Sequence, residues 1–331
     1  MFDYKKINLQ LFADLNTNTT LADGKGSYVG NDLSAEMKTF YDMTLIDEAS
    51  AQLVHDQFGQ KRPIPANGGK TIEFRKFDSL AKATNPITEG VTPNGNKLNV
   101  STITATVSQY GDYIVQSDVL ELTALDNTIL EATKILGKQA GLTLDTIVRD
   151  IIVAGSNVQY CNGKTGRSNL AAGDTLSVKE IQKAVATLRA KNAPTINGDY
   201  VAIIHPYVAY DLMRDSEWID SHKYANPDNL YTGEIGKVAG VRFVQSSEAK
   251  CFGGGKFATL ILGEGAYGVT EITGGGLQTI VKQKGSAGTG DPLDQRSSVG
   301  WKAIKTAERL VEQYMVRIES FCDGFPTATE N

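Results

Sequence analysis

Two alternating segments restrict the fold of this chain more than any other feature. Residues 71–77 (TIEFRKF) set Ile72 and Phe74 against Glu73 and Arg75. The run VSTITATVSQYGDYIVQ, from residue 100, sets Ile103, Ala105 and Val107 against Thr102, Thr104, Thr106 and Ser108. A period of two marks strands with two unlike faces. Between the segments lies a polar run with Pro86, Gly90, Pro93 and the turn pair Asn94-Gly95, so the pattern predicts an extended two-stranded hairpin over 71–110. Two strands alone bury too little apolar surface to hold together in water. The hairpin must therefore lie on something, either the chain's own body or a neighbouring copy of it.

The rest of the chain supplies a body. Residues 1–33 are rich in Asn, Thr, Gly and Asp and read as a flexible arm. A helix capped by Ser34 follows, with Met37, Phe40, Tyr41, Leu45 and Ile46 near one side, in a region ended by Pro63, Pro65 and Asn67-Gly68-Gly69. Residues 126–155 carry the strongest helical signal: Ile129, Leu136, Ala140, Leu144, Ile147 and Ile151 form one stripe, with Asp126 as N-cap and Gly155 as stop. Such a helix spans on the order of 40 Å. Its Gly137 and Gly141 cost roughly 1 kcal/mol each in propensity and fit either a close backbone crossing or a slight bend. A second helix, 177–192, has Ser177 and Glu180 placed as a capping box and Ile181, Ala184, Val185 and Leu188 as its apolar face. From 199 onward, short apolar runs and a helix opened by Pro206 predict a mixed α+β lobe. Strands return at 296–322.

Chemical motifs are nearly absent. The 33 basic and 38 acidic residues leave a net charge of −5, which argues against a broad basic surface for gripping nucleic acid. No apolar run approaches the ~20 residues that cross a bilayer. Three scattered cysteines, Cys161, Cys251 and Cys322, make neither a disulfide framework nor a zinc site. Gly263-x-Gly265-x-x-Gly268 matches a dinucleotide pattern, but a strand pattern follows where a helix is needed, so a hairpin turn is expected. His55, His205 and His222 show no ligand spacing, and His205, before Pro206, reads as a capping or packing residue. The clusters Lys61-Arg62, Lys70/Arg75/Lys76 and Lys302/Lys305/Arg309 read as salt-bridged or solvated positions, or as a face lying against phosphates. No catalytic, cofactor-binding or metal-binding residue is expected.

The residues themselves carry a resemblance. LVHDQFGQKRPIPANGGKTIEFRKF (53–77), ITEGVTPNG (87–95), QYGDYIVQSDVLELTALD (109–126), QAGLTLDTIVRD (139–150) and EQYMVRIES (312–320) are similar to the phage N-four type major capsid family. The order of elements resembles the Johnson fold (the Hong Kong type) of tailed-bacteriophage major capsid proteins. The resemblance implies an α+β phage major capsid fold in six parts. These are a flexible N-terminal arm (1–33), an N-arm helix region (34–70), the extended loop hairpin (71–110), a peripheral domain (111–195 and 296–322) with a spine helix at 126–155, an axial α+β domain (196–295) and a C-terminal tail (323–331).

It further implies a non-enzymatic head protein that assembles into pentamers and hexamers of an icosahedral shell around double-stranded DNA. The implied partners are other copies of the chain, a separate scaffold, portal and decoration proteins, and packaged DNA through non-specific contact, with no membrane. The implied location is the virion capsid, after assembly in the host bacterial cytoplasm. The loop would reach over an adjacent subunit, with its interface at Ile72, Phe74, Arg75, Ile103, Val107 and Tyr110, while Ile129, Leu136, Ala140, Leu144, Ile147 and Ile151 pack the spine helix. Lys82 and Lys97 lie in the loop from which some members form isopeptide crosslinks, without a matching environment in the sequence. An encapsulin-like nanocompartment shell and an α+β enzyme are the alternative readings.

Overall fold

The computed structural model describes residues 44–49, 53–77, 80–84, 86, 89–90, 92, 95–123, 128–219, 236–286 and 290–331. The arm at 1–33, the Ser34 cap with Met37, Phe40 and Tyr41, and Asp126 and His222 lie outside those residues. In chain order the elements are α1 (44–49), β1 (Gln60–Lys61), β2 (Thr71–Phe77), β3 (Val100–Thr106), β4 (Ser108–Ser117), α2 (Asp118–Thr123), α3 (Thr128–Val153), β5 (Val158–Tyr160), α4 (Val178–Ala190), β6 (Tyr200–Ile204), α5 (Pro206–Met213), β7 (Lys237–Val238), β8 (Val241–Gln245), β9 (Lys256–Leu262), β10 (Tyr267–Glu271), β11 (Gln278–Lys282), β12 (Arg296–Arg309) and β13 (Met315–Phe321). They fall into two units. Among the described residues, one draws on 44–48, 111–137 and 278–301; the other on 49–110, 138–277 and 302–331.

The larger unit is built on a six-stranded sheet, ordered β5-β13-β9-β6-β8-β7. β6 runs parallel to β8 and antiparallel to β9, and β13 antiparallel to β9. The sequences YVAII and KFATLIL are almost continuously apolar because both faces of β6 and β9 are covered. Ala202, Ile204, Ile261, Val316 and Ile318 share a core with Ile181, Ala184, Val185 and Leu188 of α4 and Val208, Ala209 and Leu212 of α5. Ile203, Leu260 and Leu262 point the other way and join Val148 and Ile152 of α3. β5, α4 and β13, assigned to the peripheral domain from sequence, thus share one sheet and core with the axial segment. The partner of β9 is β13, some sixty residues downstream, and pairing at that distance leaves no local trace.

Helix α3 corrects the sequence stripe. Leu136, Ala140 and Leu144 are buried as expected, whereas Ile129, Ile147 and Ile151 are only half-buried. The inner line continues through Val148 and Ile152, and it includes the polar Thr133, Asp145 and Arg149. Arg149 reaches the Glu248 carbonyl at 2.8 Å and Asp150 at 2.9 Å. At Gly137, an added Cβ would stand 2.9 Å from the Leu45 carbonyl oxygen. A close crossing by α1, rather than a bend, explains that glycine.

Helix caps differ from the expected pairing as well. Ser177 makes no side-chain cap bond. The Val178 amide donates instead to Asp215 Oδ2 (2.9 Å), and the buried Glu180 accepts from Gln159 Nε2 (2.6 Å). His205 does cap α5, its Nδ1 accepting from the Tyr207 amide at 3.1 Å. Burial holds that imidazole below its ordinary pKa, which suits an accepting ring nitrogen. The glycine pattern at 263–268 is not a hairpin, since β9 and β10 belong to different sheets. Gly263 backs onto the Pro194 carbonyl with no room for a Cβ (2.8 Å), and Gly265 has φ +71.

Gly137→Val forces a side chain into the α1 crossing. It is expected to cost about 1–3 kcal/mol, read as a lower denaturant midpoint at unchanged slope, while Gly290→Ala, with open space around it, leaves the midpoint in place.

Candidate intersubunit surfaces

The hairpin forms a ribbon of β2 and β3 in antiparallel register from Thr71↔Thr106 to Phe77↔Val100. The single long strand expected from 100 breaks at Val107, whose amide donates to the Lys70 carbonyl (3.0 Å) and closes the ribbon's base. β4 then leaves to pair with β12.

Upstream of the ribbon, the chain is stitched down. β1 pairs in parallel with β10, and Ile64 donates to Glu271 (2.7 Å) and accepts from Thr273 (2.8 Å). Just before β1, Asp145 Oδ1 accepts from the amides of Val54 (2.9 Å) and His55 (2.7 Å), and Asp145 Oδ2 lies 2.6 Å from His55 Nδ1. Both side chains are fully buried. The Tyr267 hydroxyl donates to the His55 carbonyl. Burial, with Asp56 and Asp145 nearby, raises the Tyr267 pKa and keeps it a donor. Gly59 lies under Tyr267, where an added Cβ would approach the ring to 2.6 Å. Asp56 pairs with Lys305 (2.7 Å) and Lys61 (3.2 Å). Its burial pushes the pKa up, but the two ammonium groups outweigh that and hold it below the ordinary value.

The ribbon has two different faces. Ile72, Phe74 and Lys76 align with Ala105, Ile103 and Ser101 on the inner face. Phe74 is 4% exposed and packs over Gly268 beside Leu310; Val107 is buried too. These two residues are therefore covered by the chain itself, not left open for a neighbour. Ile72 and Ile103 are half-buried, and Ile103 and Lys76 border a groove of about 610 Å³. Tyr110 is half-buried within β4 and Arg75 is exposed.

The outer face carries Thr71, Glu73, Arg75 and Phe77 opposite Thr106, Thr104, Thr102 and Val100. At its distal end Phe77 (60% exposed) and Val100 (47%) face each other, beside exposed Leu80 and Leu98. The sequence reading missed this apolar end because Phe77 and Val100 fall on the polar register. Lys82 and Lys97 are exposed in the same loop.

Of the basic clusters, Lys61, Lys305 and Arg309 are in ion pairs, the last with Glu312 at 3.1 Å. Arg62, Lys70 and Lys302 are exposed. Among the described residues there is no group of three His, Cys, Asp or Glu that could hold a metal ion, and no helix long and apolar enough to cross a membrane.

Two predictions follow from the anchored base. Asp145→Ala strands three donors, two of them buried, and is expected to cost about 3–5 kcal/mol in urea unfolding, with Asp145→Asn, which keeps an oxygen acceptor, losing less. Because the folded pKa of Asp56 lies below its unfolded one, the Asp56–Lys305 pair stabilises fully above the ordinary value of 3.8, and the contribution fades as pH falls through the folded pKa. The stability gap between the parent chain and Lys305→Met should therefore be wide at about pH 6 and narrow on acidification below that ordinary pKa.

A family model described as "Phage capsid protein" matches residues 100–308. Among solved structures, the capsid of Cyanophage Pam1 aligns with 94% of this chain and 100% of its own, at TM-score 0.66 and 13% identity. The capsid of Cyanophage P-SCSP1u covers 81% of this chain and 88% of its own, at TM-score 0.65 and 15% identity. That of Ralstonia phage GP4 covers 82% and 88%, at TM-score 0.61 and 12% identity. At such identities the likeness is one of fold. No curated protein matches in sequence.

Proposed function

The chain belongs to the phage capsid protein family, and we propose that it is the major subunit of a tailed-phage head, with the β2–β3 ribbon as its reaching contact. One observation carries this reading. The ribbon's inner face is seated on its own body through Phe74, its base is fixed through His55 and Asp145, and its apolar distal end is exposed. A tethered arm with an uncovered apolar end suits a contact completed by another copy. Many such contacts, each modest alone, add up in a closed shell.

In this reading the role is structural rather than catalytic. The subunits form pentamers and hexamers of an icosahedral virion capsid, assembled in the host cytoplasm with a separate scaffold and portal. Exposed basic residues such as Arg62 and Lys70 touch packaged DNA through phosphates, without base readout. The parts expected from sequence keep their roles, with 71–110 as the extended loop and α3 as the spine. The family match favours a phage head over an encapsulin-like compartment.

Electron microscopy of the full chain, alone and with a co-expressed scaffold, tests this. Closed shells, tubes or rings of five or six are expected. Phe77→Glu should abolish them while leaving the melting temperature of the unassembled protein unchanged. A parent chain that stays monomeric in both settings overturns the reading, and shells filled with protein cargo instead of nucleic acid redirect it to a nanocompartment.

A further inference from the structure

One site in the larger unit shows how this chain fills a place where an aromatic ring adjoins a carboxylate. The Arg167 guanidinium lies 3.3 Å from the centre of the Phe252 ring, and its Nε and Nη2 donate to the two oxygens of Glu319 at 2.7 and 2.8 Å. Stacking uses the face of the planar cation, and the fork uses its edge.

A second place in the same unit sets rings beside carboxylates, but no arginine forks onto them. Tyr207 and Tyr210 of α5 and Phe325 of the C-terminal tail are 38%, 43% and 39% exposed. Phe325 stacks on Tyr207, with ring centres 3.9 Å apart, and meets Tyr210 edge-on at 6.0 Å, so the three rings form one continuous patch. Beside it lies an opening of about 390 Å³ whose lining includes Asp211, Asp215 and Asp323. Gly324 joins patch and opening: a Cβ built there would stand 3.0 Å from the Tyr210 ring and 3.4 Å from Asp211 Oδ1.

The backbone aims these carboxylates. Asp211 Oδ2 accepts from the Asp323 amide (2.9 Å), Asp215 Oδ2 from the Val178 amide (2.9 Å) and Asp323 Oδ1 from the Gly173 amide (3.0 Å). Among the described residues none of the three is in an ion pair, whereas Asp56, Asp174 and Glu319 are paired with Lys305, Lys164 and Arg167. Arg214 also lines the opening, but its Nη1 donates to the Tyr210 hydroxyl at 2.8 Å. Its charge offsets one carboxylate of the three. The C-terminal end of α5, beside Asp211 and Asp215, adds further negative potential. The three carboxylates do not converge as metal ligands. An apolar aromatic patch with a surplus of negative charge is complementary to a cation that has a stacking face, and among side chains that is arginine.

We propose that this face docks a basic segment of another protein, one of whose arginines stacks on the Tyr210–Phe325 rings and forks onto Asp211. The chain's own net charge of −5 favours a basic partner over a second copy as the occupant. The proposal does not depend on shell formation.

The probe is a fluorescein-labelled peptide in which three arginines alternate with glycine, compared with its three-lysine counterpart. Each is titrated against the full chain at low ionic strength, where charges are little screened, with anisotropy as the readout. The arginine peptide is expected to bind roughly three- to fivefold tighter, because lysine keeps the charge but loses the stacking face and the fork. Tyr210→Ala combined with Phe325→Ala should erase that preference. Asp211→Asn, which keeps an acceptor for the Asp323 amide, should weaken both peptides. The peptide comparison on the parent chain decides even where a variant melts early. Equal affinity for the two peptides, or an arginine preference that survives in a folded double variant, overturns the proposal. Binding to the unassembled chain that vanishes once shells form shows that a neighbouring copy covers the face, and overturns it as well.

Discussion

A fully buried carboxylate holds the root of the β2–β3 ribbon in place. Asp145 sits on the inner line of α3, where an aliphatic side chain would be expected, and accepts from two backbone amides and one imidazole of the segment that leads into the ribbon. A buried carboxylate is costly unless its oxygens are satisfied, and three donors converging from one turn satisfy it. The same turn receives the Tyr267 hydroxyl from β10, so helix, turn and strand meet at one polar junction. The two-residue strand β1 and the Ile64 hydrogen bonds continue the stitching. A ribbon that could not stand alone is thereby given a rigid root.

From that root the ribbon presents two unlike faces. The inner face is spent on the chain's own body, where Phe74 lies on a glycine that leaves room for its ring. The outer face is largely Thr and charged residues, which keeps most of an open two-stranded edge soluble. Only its far end is apolar.

Much of this was legible without coordinates. Period-two alternation located both ribbon strands, the apolar stripe located α3 within two residues at each end, and His205 was recognisable as a cap from its place before Pro206. The glycine at 137 fitted a close crossing or a bend equally well in sequence, and only the structure chose the crossing. The parts that escaped share one cause. Asp145 and His55 are ninety residues apart, β9 and β13 pair across most of the C-terminal lobe, and Asp215 caps a helix that begins at Val178. Each contact has one half that looks unremarkable in sequence. Apolarity alone draws the α3 stripe through the half-buried Ile147 and Ile151, whereas Asp145 and Arg149 are buried there with partners supplied from elsewhere.

The sequence by itself determined where the two strands of a two-faced hairpin lie and where a long helix runs. Those properties depend on neighbours along the chain, through side-chain periodicity and backbone preference. Tertiary structure alone decided which hairpin face is covered and which is left exposed. Alternation says only that two faces differ. Which one is buried depends on what stands opposite, and here that is Gly268 and Leu310, some two hundred residues away.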